Sequence, residues 1–123
     1  MISIALAGLY VFGATFLVAS IATFDALDRL IEHEYESHRD AWERDGRPSG
    51  VLFHPPEAKF FRSSLAFQRC ALIWPFSAPL WTRDDTRAAS LLTRLRRLFF
   101  TSNAALLLSI VCLCLYLQLT VAI

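Results

Sequence analysis

Arg94-Leu95-Arg96-Arg97 followed by Leu98–Ile123 is the stretch on which the reading of this chain turns. Three arginines fall within four positions, and the 26 residues after them contain no Asp, Glu, Lys or Arg. About 20 apolar residues in a helix cross the hydrocarbon core of a bilayer, so this run is long enough to span with some tilt. A second uncharged run, Ile2–Phe24, covers 23 residues at the other end. All 12 basic and all 11 acidic side chains lie between Asp25 and Arg97. A soluble fold needs polar surface on every element, whereas this chain confines its charge to the middle.

Ile2–Phe24 lacks a basic residue ahead of it and is long for the apolar core of a secretory signal, so a retained span is expected. The arginines near the span ends, Arg29 on one side and Arg87, Arg94, Arg96 and Arg97 on the other, place residues 25–97 in the cytoplasm. Both termini are then periplasmic. Small residues at four-residue spacing in the first span (Ser3 and Ala7; Thr15, Ala19 and Thr23) suit close helix packing, within the molecule or in a dimer.

No Pro or Gly follows Phe24 until Gly46. Leu27, Leu30, Ile31, Glu34/Tyr35, His38 and Ala41/Trp42 share one helical stripe, and the charged side chains lie mostly off it. The spacing predicts one helix from about residue 2 to about residue 45. Such a helix would be roughly 65 Å long, of which about 30 Å suffices for the hydrocarbon core. Asp45–Gly50 reads as a loop and His54-Pro55-Pro56-Glu57 as a helix start. Thr82 is the expected N-cap of a last amphipathic helix that runs unbroken into the second span.

The fold class expected is therefore all-α: two transmembrane helices extended as an antiparallel cytoplasmic helical hairpin, with a short interfacial helix or elbow. The segments are span 1–24, amphipathic helix 25–45, loop and aromatic elbow 46–81, amphipathic helix 82–97 and span 98–123. Antiparallel pairing brings the acidic base of the first stalk, Asp25, Asp28 and Glu32, level with Arg94 and Arg97 of the second. Asp25 is expected to bond Arg97 or Arg94.

Cys70–Trp81 is the most apolar part of the middle and too short to span. Phe60, Phe61, Phe67, Trp74, Phe76 and Trp81 form the expected contact surface, set at the membrane interface, against the stalks or in a partner's groove. Chemistry-bearing constellations are sparse. His33, His38 and His54 show no convergent ligand spacing, although Glu34 and His38 are four apart, and they read as structural or solvent-facing. Asp84-Asp85 reads as helix-start charge. Cys70, Cys112 and Cys114 show no zinc or disulfide pattern. No phosphate loop or nucleophile motif is present, the spans carry no ionisable side chain, and the basic residues are balanced by acidic ones. No catalytic residue, metal or cofactor and no nucleic-acid partner is expected. The partners expected are the lipid bilayer and a membrane protein or a second copy.

Met1-Ile2-Ser3, the acidic pair Asp84-Asp85 and the junction Arg96-Arg97-Leu98-Phe99-Phe100-Thr101-Ser102 resemble the universal stress protein B family. The Cys70–Trp81 stretch lies outside the likeness. The resemblance implies a small two-span inner-membrane protein of Gram-negative bacteria with a part in stress tolerance, and it carries over no catalytic residue. The functional expectation is thus a non-enzymatic membrane protein acting by association. The alternatives are an accessory subunit of a larger membrane complex and a device that binds the cytoplasmic leaflet.

Overall fold

A computed structural model describes residues 1–123. It is all-helical, with α1 at Ile2–Ser37, α2 at Arg39–Arg44, α3 at Phe60–Ile73, a 3₁₀ turn at Leu80–Thr82 and α4 at Thr86–Ala122. The chain forms two compact units, Met1–Ile21 with Leu98–Ile123, and Ala22–Arg97. Both long helices contain windows long and apolar enough to cross a membrane, and only 11% of each window is buried. The core helix of a soluble protein would be mostly covered; here the large side chains of the apolar windows point outward.

In the first unit the two helices meet along small residues. Ala5 and Ala19 are buried on one side, and Ser102, Ala105 and Ser109 on the other. Gly8 sits so close to Cys112 that an added Cβ would press on its Sγ. Without a hydrophobic drive between helices in lipid, such small-residue seams let backbones gain dispersion contacts. Ser3, Ala7 and Thr15 face outward, so of the four-residue sets read from sequence only Ala19 is buried in the seam.

The second unit has a core shared by three helices. Ala26, Leu27, Leu30, Ile31 and Glu34 come from α1, Ser63, Ala66 and Cys70 from α3, and Ala88, Leu92 and Leu95 from α4. Trp42 of α2 is fully buried, and its indole N–H donates to Pro48 O at 2.9 Å. α2 ends in a Schellman cap: Arg47 N–H bonds Trp42 O at 2.9 Å and Gly46 N–H bonds Glu43 O at 3.2 Å, with Gly46 at φ 91°.

Three boundaries differ from the sequence expectation. The long helix breaks once, at His38, whose φ of −134° and ψ of 56° leave the helical region. Its side chain reaches Asp85 from there, and that hydrogen bond offsets the lost regularity. Pro55–Glu57 forms a turn rather than a helix start, because Glu57 accepts the Tyr35 hydroxyl at 2.7 Å and α3 begins only at Phe60. Thr82 is not the cap of α4, since its hydroxyl donates to Pro79 O at 2.7 Å; Asp85 caps instead.

The loop after α2 is anchored by Asp28, which accepts Val51 N–H at 2.7 Å and Leu52 N–H at 2.8 Å. Asp28 is buried, so it does not join an arginine as the charge pattern suggested. Gly50 lies against this carboxylate, and any Cβ there would collide with it. Hydrogen bonds to a charged acceptor contribute roughly 1.5–3 kcal/mol each. Gly50→Ala is expected to destabilise by about 1–3 kcal/mol, as is Asp28→Ala, and the double variant to cost much less than the sum. Chemical denaturation of all three variants measures this; additive losses would show that Gly50 and Asp28 do not act together.

Candidate functional site

The sequence confines charged and histidine side chains to Ala22–Arg97, and within this unit two places stand out: a polar junction where α1, α2 and α4 meet, and the outward side of α3.

The junction is built on Asp85. As N-cap of α4 it accepts Ala88 N–H at its Oδ1 (3.1 Å), which fixes the carboxylate plane. Its Oδ2 lies 2.6 Å from His33 Nε2 and 2.8 Å from His38 Nε2. On an uninterrupted helix two residues five apart are turned by roughly 140° and cannot converge. The break at His38 is what brings the second imidazole onto the oxygen that His33 already contacts. These hydrogen bonds hold the Asp85 carboxyl well below the usual carboxylate range. The three side chains are 13%, 29% and 19% exposed for His33, His38 and Asp85, so the cluster is shielded but reachable. Together they offer three atoms able to hold a metal ion, all within 4.8 Å of one another. Sequence reasoning missed this because neither the His33–His38 spacing nor Asp85, some fifty residues away, carries a ligand signature.

His33 also faces a cleft of about 770 Å³ whose wall includes Asp25, Asp28, Glu32 and Glu36, together with Arg29 and Arg87. Here the pairing residues read from sequence separate. Asp25 is bound by Arg29 at 3.0 Å and approached by Arg94 at 3.9 Å, with both partners about half exposed. Exposed bridges of this kind contribute at most about 1 kcal/mol. Glu32 stands exposed in the cleft wall, and Arg97 is exposed on α4.

Behind the junction lies a buried polar pocket. Glu34 is fully buried, and neither carboxyl oxygen has a hydrogen-bond partner. Asp45 and Trp81 are its polar neighbours, and Trp81 Nε1 and Ser63 Oγ are also buried without partners. Burial, and after it the neighbouring Asp45, pushes the Glu34 carboxyl up to about 10, so it is held protonated. The same burial raises the Cys70 thiol and makes it unreactive.

The second place is α3, whose polarity is reversed. Its inward stripe consists of the small residues Ser63, Ala66 and Cys70, while Phe60 and Phe61 are 90% and 72% exposed and Leu65, Leu72 and Ile73 also point out. Phe76 and Leu80 continue the outward row beyond the helix. Trp74 is buried and Trp81 half-buried; they meet edge to face at 5.9 Å, and Trp81 also lies 5.0 Å from the His38 ring. The two tryptophans expected on the contact surface are therefore interior. The reason is that the small α3 stripe leaves room which only large rings fill. Phe67 is half-buried and stacks on Phe24 at 6.3 Å.

No family model, no curated protein and no solved structure matches this chain, so geometry alone carries the functional reading.

The Glu34 geometry has a measurable consequence. The unfolded chain releases this proton near 4.5, the folded one near 10. Stability from this group is thus intact below 4.5 and declines as pH rises, by up to about 1.4 kcal/mol per pH unit. Glu34→Gln keeps the shape and removes that cost. In chelator-treated buffer its melting temperature is expected to exceed that of the wild type at pH 8 and to match it near pH 4.5. A lower value at pH 8 would mean that the carboxylate is ionised and paired.

Proposed function

We propose that this chain is a non-enzymatic integral membrane protein that acts by association, with the outward side of α3 as its contact surface on the cytoplasmic leaflet of a bacterial inner membrane. The observation that supports this most directly is the inverted helix. Phe60, Phe61, Leu65 and Leu72 present bulky apolar groups outward from a helix whose inner stripe is small. Exposing such a row to water costs on the order of 1.5–3 kcal/mol per large side chain relative to burial. An exposed set of bulky apolar side chains of this kind, interrupted on its stripe only by Gln68, marks a surface that meets lipid or another protein.

Lipid is favoured by the position of the row. Phe24 is the last residue before charge begins at Asp25, so in the topology read from sequence it lies at the hydrocarbon edge. Phe67 stacks on that ring, which holds the middle of α3 at the same depth. Lys59, Arg62 and Arg69 flank the apolar row, and Arg62 and Lys59 are exposed. An amphipathic helix with basic flanks and aromatic residues suits the boundary between acyl chains and anionic headgroups. In this reading the spans anchor the protein, residues 25–97 stand in the cytoplasm and both termini are periplasmic.

Spin labels introduced at positions 61, 65 and 72, one at a time, test the reading in protein reconstituted into anionic liposomes. The background replaces Cys112 and Cys114 with Ser and keeps the buried Cys70. Each label is expected to collide with oxygen dissolved in the acyl region and to be protected from an aqueous nickel relaxant. Labels at 62 and 59 are expected to show the reverse. Free access of the aqueous relaxant to all five positions would overturn the proposal. Protection from both agents at 61, 65 and 72 would replace the leaflet by a protein surface, that of an accessory subunit's complex or of a second copy.

A further inference from the structure

We propose that His33, His38 and Asp85 form a binding site for a divalent transition-metal ion of the zinc class, seated where α1, α2 and the N-terminus of α4 meet. Three donors, from α1, from the break between α1 and α2 and from the N-terminus of α4, lie within 4.8 Å of one another. His33 Nε2 and His38 Nε2 stand 2.6 and 2.8 Å from Asp85 Oδ2, although 52 and 47 residues separate them in sequence. Two imidazoles and a carboxylate are a donor set suited to Zn²⁺, Co²⁺ or Fe²⁺ and poorly suited to Ca²⁺ or Mg²⁺, which take oxygen ligands.

The geometry needs little adjustment. Zinc binds nitrogen and carboxylate oxygen at about 2.0–2.2 Å, which sets neighbouring ligand atoms about 3.3 Å apart in a tetrahedron. The two N···O separations therefore have to open by about 0.5–0.7 Å, while the two imidazole nitrogens, which lie within 4.8 Å of each other, settle to about the same 3.3 Å spacing; χ rotations of the histidines supply both changes. Two N–H···O hydrogen bonds give way to two metal–nitrogen bonds and one metal–oxygen bond. Each imidazole coordinates through a deprotonated Nε2 and keeps one proton on Nδ1; a second proton, where the ring carries one, passes to solvent. The fourth coordination position is left to water or to an incoming ligand.

Two further features support an ion here. Asp85 Oδ1 is held by Ala88 N–H, so Oδ2 is presented in a fixed direction, as the outer contacts of metal ligands usually ensure. His33 opens on the cleft whose wall carries the carboxylates of Asp25, Asp28, Glu32 and Glu36 against the guanidinium groups of Arg29 and Arg87, an acidic excess that favours cations at the approach to the site. The consequence would be a staple across the end of the hairpin, independent of whether α3 meets lipid.

The full chain, purified in detergent and stripped with EDTA, is titrated with Zn²⁺ against a chromophoric chelator and separately with Co²⁺. One equivalent of Zn²⁺ is expected to bind with a Kd below about 10 µM, unaffected by millimolar Mg²⁺. Co²⁺ is expected to give the visible absorption of a four- or five-coordinate ion. His33→Ala and His38→Ala should each weaken binding at least about tenfold, as should Asp85→Asn, which retains a good N-cap. His54→Ala should bind as the wild type does, and circular dichroism verifies helix content in every variant. Binding weaker than that limit, or affinity unchanged in the His33→Ala/His38→Ala double variant, would overturn the proposal.

Discussion

One carboxylate closes the middle of this molecule. Asp85 holds the first turn of α4 through Oδ1 and two imidazoles through Oδ2, so three segments take their positions from a single side chain. The alternative for each partner is poor. Without the carboxylate, the first turn of α4 would lack its only side-chain cap, and His38 would have no reason to leave the helical region. The hydrogen bonds keep Asp85 ionised to well below the ordinary carboxylate range. Their contribution is therefore complete above that range and fades only on strong acidification.

Much of the architecture was legible because charge segregation is a long-range pattern that no local detail can hide. Two uncharged runs, Ile2–Phe24 and Leu98–Ile123, and a stripe through Leu27, Leu30 and Ile31 suffice for two long helices and their buried sides. What escaped depends on contacts between segments distant in sequence. Asp28 looked like one of several acidic residues facing arginines; that it would take two backbone N–H groups depended on where residues 50–52 return. His33 and His38 looked unrelated because five residues on a regular helix turn them apart, and the break that joins them is fixed by Asp85. The start of α3 moved because Glu57 found Tyr35 across the hairpin.

The orientation of α3 was legible in part: Phe60, Phe61 and Phe76 were expected on a contact surface and stand exposed, whereas Trp74 and Trp81, expected with them, turn inward. A helical pattern shows that one side is bulky and the other small, but not which side meets the interior. Here Ser63, Ala66 and Cys70 are the buried residues of α3, and the large buried side chains of the same unit, Trp42, Trp74 and Glu34, fill the interior beside this small stripe. Rotating α3 to bury its phenylalanines would overpack that space, and insertion of extra methylenes into a filled core costs roughly 1–3 kcal/mol for each site. The outward row is thus the consequence of a full interior.

The histidine junction and the outward row are also joined by contact. The His38 ring lies 5.0 Å from Trp81, which meets Trp74 at 5.9 Å, and Trp74 is the residue that caps the C-terminal end of α3. Interiors of this density have little slack, so a displacement at one ring is either resisted by the next or passed to it. A metal ion that repositions His38 by a fraction of an ångström would press on Trp81 before it reached any other aromatic group in this row. The end of α3 next to Trp74, rather than its Phe60 end, is accordingly the part of the contact surface whose position depends on the junction.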